Sequence, residues 1–144
     1  MKRFFLTILV LGFAGSALAD GHGNMLSFEQ RQDSTEMTVT SVNLTQGGGT
    51  ITAEGQMGEY GRVYLTYALT ADANGLSGTV IGEGRDALQD GSFASGAGIG
   101  AYTRDGTTFT MHVLFRINDR TQNLDKIVFD AFTRELTHDV YVVK

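Results

Sequence analysis

Apolar and polar residues alternate along several stretches of the chain. In the stretch 107–119, every second position holds a large apolar residue: Phe109, Met111, Val113, Phe115 and Ile117. Polar residues such as Thr108 and Arg116 fall between them. A period of two places successive side chains on opposite faces of a β-strand. The pattern, which recurs over 63–69, therefore predicts strands with one buried face.

Short turn signals separate these stretches. They are Gly47-Gly48-Gly49, Gly58-Glu59-Tyr60-Gly61, Asn74-Gly75, Asp90-Gly91 and Asp105-Gly106. Asn-Gly and Asp-Gly suit the positive φ angles of a tight hairpin turn. The segments between the signals predict strands near 36–46, 50–56, 61–71, 76–86, 92–104, 107–118, 125–133 and 139–143.

Many short strands joined by hairpins, with no clear helical crossover, predict an all-β antiparallel meander. About eight such strands close into a small up-and-down barrel, filled by side chains or holding one small ligand. A two-sheet sandwich is the alternative. The segment 124–136 also carries a helical apolar stripe, so a short C-terminal helix there stays open. The stripe consists of Leu124, Ile127, Val128, Ala131, Phe132 and Leu136.

Residues 1–19 have the three zones of a secretory signal. Lys2 and Arg3 precede an apolar run, which the small-residue sequence Ala17-Leu18-Ala19 follows. The run is shorter than the about 20 apolar residues that a membrane-spanning helix needs. We therefore expect cleavage after Ala19 and a secreted or periplasmic product. In that product, 20–35 is an N-terminal tail and 36–144 is the barrel domain.

Composition narrows the classes of function. With 42% hydrophobic residues, 19% charged residues and no Cys, the chain is neither disordered nor a disulfide scaffold. After the predicted cleavage, 9 Lys and Arg stand against 16 Asp and Glu, a formal charge of −7. Because phosphate binding needs a basic surface, we expect no nucleic-acid partner. We also expect no cofactor, and the sequence leaves the oligomeric state open.

Glycines alternate along two neighbouring predicted strands. Gly82 and Gly84 lie on one strand, and Gly96, Gly98 and Gly100 lie on the next. Because glycine weakens a strand interior, such a cluster needs a geometric reason. Either the sheet coils sharply there, or the missing side chains leave room for an aromatic ring or a ligand.

Six large side chains are candidates for lining a ligand pocket. They are Tyr67, Tyr102, Phe109, Met111, Phe115 and Phe129. If they all meet, they simply fill the core. If the glycines lie opposite them, a pocket for a small apolar molecule remains. A cavity of roughly a few hundred Å³ would support such binding, and a solid interior would remove it.

Cleavage after Ala19 would create one candidate metal site, at Asp20-Gly21-His22. The free amine of Asp20, two backbone amides and the imidazole of His22 supply four nitrogens. Cu(II) and Ni(II) favour a square-planar set of this kind. A terminal tail with an incidental histidine is the alternative interpretation.

Four other polar residues are candidates for acid–base chemistry: His112, Glu83, Arg85 and His138. His112 falls on the polar face of its strand and is expected outside the barrel. Glu83 and Arg85 share a strand face, where a solvated ion pair is the simplest interpretation. His138 precedes Asp139, but the sequence has no matching serine motif. The sequence therefore assigns no catalytic residue.

The stretch 55–105 carries a further set of glycine and aromatic motifs. They are Gly58-Glu59-Tyr60-Gly61-Arg62, Tyr67, Gly78, Gly82-Glu83-Gly84 and Gly98-Ile99-Gly100-Ala101-Tyr102. This stretch resembles the small bacterial barrels grouped with allene oxide cyclase. The resemblance implies an eight-stranded antiparallel barrel with an apolar cavity, in which some members isomerise fatty-acid-derived substrates. It assigns no catalytic residue, because no catalytic motif of the plant enzymes is present.

Three functions follow from these observations. The first is a secreted calycin-like barrel that binds a small apolar molecule. The second is an isomerase or cyclase on the same scaffold, which needs a buried ionisable group with a shifted pKa. The third is a small outer-membrane β-barrel, which needs an apolar outer band, aromatic girdles and a polar interior. The chain has no Trp and its sequence ends in Lys144, so membrane insertion is not expected.

Overall fold

The computed structural model describes residues 25–144, most of which lie in nine β-strands. The strands are β1 (Phe28–Gln30), β2 (Thr35–Thr45), β3 (Gly48–Gln56), β4 (Arg62–Ala71), β5 (Ser77–Ala87), β6 (Phe93–Asp105), β7 (Thr108–Ile117), β8 (Gln122–Asp130) and β9 (Glu135–Val143). A short 3-10 turn, Gly58–Tyr60, lies between β3 and β4. No helix in this part of the chain is long and apolar enough to cross a membrane.

Strands β2 to β9 form a closed antiparallel barrel in which each strand pairs with its neighbours along the chain. Closure comes from β2 and β9, where Thr35 lies opposite His138 and Thr38 lies opposite Glu135. The predicted eight-stranded up-and-down barrel is therefore confirmed, and the closed strand order excludes the sandwich. The extra strand β1 pairs with the second half of β9 and falls within the predicted tail. The signal sequence lies outside the described residues, so the predicted domain division stays a prediction.

The interior is built from the inward positions that the alternation predicts. In β4 the buried residues are Val63, Leu65, Tyr67 and Leu69, and the residues between them are exposed. Strand β7 repeats the pattern, and His112 is exposed on its outer face as predicted. These inward side chains belong to one hydrophobic core inside the barrel.

The alternative of a C-terminal helix over 124–136 is wrong. Strand β8 continues to Asp130, and a turn then leads into β9 at Glu135. The Asp130 carboxylate causes the reversal, because its Oδ1 accepts the backbone N–H groups of Phe132 and Thr133 at 2.7 and 3.2 Å. Arg134 completes the turn with a φ of 63°. The chain therefore reverses in the middle of the apparent helical stripe.

The clustered glycines serve both of the purposes that the sequence suggests. A Cβ on Gly82 would lie 2.4 Å from Cζ of Phe115, so the phenyl ring occupies that space. A Cβ on Gly100 would lie 1.8 Å from the backbone oxygen of His112 on β7. The first glycine makes room for an aromatic ring, and the second allows close approach of two coiled strands.

The substitution Gly82→Ala should lower the free energy of unfolding by about 1–3 kcal/mol, because the new methyl group overlaps the Phe115 ring. Urea denaturation followed by circular dichroism measures the change. The matched control is Gly47→Ala, since Gly47 is exposed and a Cβ there meets nothing within 4 Å. Equal losses in the two variants would contradict the role assigned to Gly82.

Candidate functional site

Buried polar residues gather toward one end of the barrel. Asp86, Asn123, Asp125 and His138 are almost fully buried. All four line one small void, to which Tyr60 also contributes. We call this group of five residues the polar end. Burying polar groups in an apolar interior is unfavourable unless they are paired, so the cluster needs a chemical explanation.

The same alternation that builds the core turns these side chains inward. On β8, Asp125 is followed by the inward residues Ile127 and Phe129. On β9, His138 lies on the inward face between Leu136 and Val140. The register pairs Ile127 with His138 and Asp125 with Val140. Asp125 and His138 are therefore diagonal neighbours on the inner face, where their side chains can meet.

A chain of hydrogen bonds links Tyr67, His138 and Asp125. The Nε2 atom of His138 lies 2.7 Å from Oδ2 of Asp125, and its Nδ1 lies 3.0 Å from the hydroxyl of Tyr67. Burial raises the pKa of Tyr67 well above its usual value, so this hydroxyl stays protonated. A neutral imidazole with its proton on Nε2 satisfies both bonds, because it donates to the carboxylate and accepts from the tyrosine.

The other carboxylate oxygen of Asp125, Oδ1, is buried and has no hydrogen-bond partner within residues 25–144. The void that Asp125 lines measures about 30 Å³. A void of this size holds about one or two water-sized groups. The site therefore combines an unsatisfied acceptor with space for a small donor.

A second chain of polar contacts borders the void at Tyr60 and Asn123. Asn123 donates from Nδ2 to the hydroxyl of Tyr60 at 2.8 Å, and its Oδ1 accepts from Arg31 at 3.3 Å. Arg31 also pairs with Glu59 and lies 4.9 Å above the Tyr60 ring. The 3-10 turn and the β1–β2 connection therefore hold Tyr60 beside the void.

Asp86 is the second carboxylate of the void. It is an inward residue of β5, opposite Val63 on β4, and only 5% of its surface is exposed. Burial raises the pKa of Asp86 above its usual value. The neutral acid is therefore favoured over a wider pH range than for an exposed aspartate.

A groove of about 330 Å³ lies outside the void at the same end. Tyr60 and Ile117 line both spaces. Leu88 and Phe93 add apolar walls, while the polar lining includes Asp119. The arrangement thus combines an outer groove of mixed apolar and polar lining with a small inner void on which a few buried polar side chains converge.

The six aromatic and Met residues predicted from the sequence are buried in the core. Tyr102 packs against Phe109, with ring centroids 5.7 Å apart, and Phe109 packs against Phe129 at 6.0 Å. Phe115 lines the small void. Tyr102 and Phe109 lie instead beside the turns at the opposite end. Because these rings largely pack against one another, their role in ligand binding stays a prediction.

The remaining candidates are distributed differently. Glu83 and Arg85 are exposed, and no ion pair joins them among the described residues. Arg85 instead lies 5.2 Å from the centroid of the Phe93 ring. The predicted metal site at Asp20 and His22 lies outside the described residues, within which no group of three metal-binding side chains occurs.

Sequence reasoning missed Asp86, Asn123 and Asp125. The signal that could have revealed them is strand alternation, because each of them occupies an inward-facing position of its strand. Asn123 and Asp125 continue the inward series of Ile127 and Phe129, but the predicted strand began at 125 instead of Gln122. His138 was singled out, but its place in β9 was not predicted, because the strand was expected to begin at 139.

No family model, curated protein or solved structure matches this chain. The resemblance to allene oxide cyclase therefore stays a prediction.

The substitution Asp86→Asn should stabilise the protein at neutral pH. Burial gives Asp86 a higher pKa in the folded state than in the unfolded state. The free energy of unfolding of the wild-type protein therefore falls as the pH rises from about 4 through the folded-state pKa of Asp86. The amide carries no charge, so the advantage of Asp86→Asn should appear over that window and vanish at lower pH. Urea denaturation from about pH 3 to pH 8 measures it.

The control for this pH dependence is Asp119→Asn. Hydrogen bonds from Thr121 lower the pKa of Asp119, so ionised Asp119 stabilises the fold. This variant should therefore lose stability at neutral pH, with a difference of the opposite sign. A pH-independent difference for Asp86→Asn would show that the Asp86 carboxyl is not destabilised by burial.

Proposed function

We propose that this chain is a secreted, calycin-like barrel protein that binds a small molecule with an apolar body and a polar head. The observation that carries the proposal is the convergence of Asp86, Asn123, Asp125 and His138 on one void in an otherwise apolar barrel. Ligand sites commonly combine apolar walls with a few converging polar groups. The three zones of residues 1–19 support export.

The shapes of the two spaces suggest how such a molecule lies. The void of about 30 Å³ has room for a head group alone. The outer groove of about 330 Å³ is within the range that ligand sites occupy, roughly 300–1,000 Å³. Leu88, Phe93 and Ile117 provide apolar contacts for the body. Tyr60 borders both spaces, so a ligand that spans them contacts its ring.

The apolar interior favours this proposal over an outer-membrane barrel. The fully buried inward residues include Ile51, Val80, Met111 and Ile127. A membrane barrel of the outer-membrane type has a polar interior and an apolar outer band.

Native mass spectrometry of the protein purified from its own host tests the proposal. We expect a chain that begins at Asp20 and retains a small molecule. Ile117→Arg should abolish retention, because it places a long cationic side chain between the void and the groove. Ile99→Arg is the matched control, since Ile99 is exposed on the outer face. Ligand binding would be contradicted if the wild-type protein carries no ligand and no lipid extract of the host raises its melting temperature.

An isomerase or cyclase is the second candidate function. The Tyr67–His138–Asp125 chain and the raised pKa of Asp86 favour it. Acid–base catalysis needs a proton donor and a proton acceptor within reach of one substrate. Neutral Asp86 can donate a proton into the void, and Oδ1 of Asp125 can accept one. His138 orients the Asp125 carboxylate through Oδ2.

Deuterium incorporation tests this second candidate. The protein is incubated in D₂O with a metabolite extract of its host, and products are analysed by mass spectrometry. Proton transfer at carbon should place deuterium in a specific metabolite, and Asp125→Asn should reduce the rate by about 10²-fold or more. Glu83→Gln, on the outer face, should leave the rate unchanged. Identical deuterium patterns with and without protein would contradict catalysis by proton transfer.

A further inference from the structure

We infer that the head group bound at the polar end is an ammonium group, so that the ligand is a small primary amine with an apolar body. This inference rests on the proposed binding function and names the class of its ligand. It follows from the hydrogen-bonding groups that the protein leaves unused around the void.

Most polar groups around the void are already paired with each other. His138 uses both ring nitrogens, one toward Asp125 and one toward Tyr67. Asn123 donates to Tyr60 and accepts from Arg31. The ring nitrogens of His138 are therefore not free to recognise a ligand without breaking an existing bond, and Asn123 keeps one N–H donor and one lone pair.

Most of the hydrogen-bonding capacity that remains unused around the void belongs to acceptors. Oδ1 of Asp125 is buried and unpartnered among residues 25–144, and the carboxyl group of Asp86 lines the same void. The Tyr60 hydroxyl accepts from Asn123 and retains its own hydrogen as a donor. A ligand that brings several donors matches two carboxylates best, and an ammonium group has three donors and no acceptor.

The charged groups around the void also favour a cationic head group. Two carboxyl groups in a buried site favour an entering cation, because it stabilises their ionised forms. An anionic head would instead meet the Asp125 carboxylate in a region of low dielectric, where like charges repel strongly. At the outer groove Arg31 is paired with Glu59, and Asp119 adds a further negative charge. The route to the void therefore attracts cations.

The size of the void restricts the kind of cation. At about 30 Å³ it fits an ammonium group, which is close to water in size. A trimethylammonium group is larger and has no N–H donor. Primary amines are therefore selected over quaternary ones by size and by hydrogen bonding together.

Calorimetric titration in amine-free phosphate buffer tests the inference with four probes that share one alkyl chain. They are hexylamine, hexanol, hexanoate and hexyltrimethylammonium. We expect hexylamine to bind at least about tenfold more tightly than the other three, as a charge-assisted hydrogen bond predicts. Equal or tighter binding of hexanol or hexanoate would overturn the inference and leave the binding function intact.

Two variants identify the acceptors. Asp125→Asn and Asp86→Asn should each weaken hexylamine binding about tenfold and leave hexanol binding nearly unchanged. Asp86→Asn guards against misfolding, because it leaves the His138–Asp125 bond intact. Glu83→Gln is the matched surface control. Unchanged hexylamine binding in both interior variants would overturn the inference.

The molecule retained from the host distinguishes a failure of this inference from a failure of the proposed function. A retained amine together with weak hexylamine binding supports the inference and shows that the probe has the wrong apolar body. A retained neutral or anionic molecule overturns the ammonium assignment alone. An unliganded host protein that binds none of the four probes overturns both proposals.

Discussion

The short ladder between β2 and β9 is the interaction on which the rest of the molecule depends. It runs from Thr35 opposite His138 to Thr38 opposite Glu135, and it turns an open meander into a barrel. His138 takes part twice, since its backbone belongs to the closing ladder and its side chain bonds to Tyr67 and Asp125. Closing the sheet and assembling the polar end are therefore one structural event.

The polar end departs from the rule that fills the rest of the barrel with apolar side chains. Both ring nitrogens of His138 are hydrogen-bonded, one to Tyr67 and one to Asp125. In contrast, Oδ1 of Asp125 has no hydrogen-bond partner among residues 25–144, and burial raises the pKa of Asp86. Such local departures from good packing and pairing are typical of functional sites. The barrel supplies the rigid support that holds these groups in place.

The sequence predicted the fold well where one strand face is uniformly apolar, as in β4 and β7. It predicted β8 less well because Asn123 and Asp125 replace apolar residues on the inward face and hide its start. The partners of His138 lie 13 and 71 residues away, so no local spacing could reveal them. The fit of the Phe115 ring against Gly82 also depends on the three-dimensional path of two strands.

The ends of the described chain lie side by side. Ser27 and Lys144 exchange two backbone hydrogen bonds, next to the pairing of Phe28 with Val143. A barrel closed by its first and last strands is dominated by contacts of long sequence separation, and such contacts form late. Folding therefore cannot finish while β9 is still being synthesised. Until β9 pairs with β2, the edge of β2 stays unpaired. The pairing of β9 is therefore the step that closes the barrel.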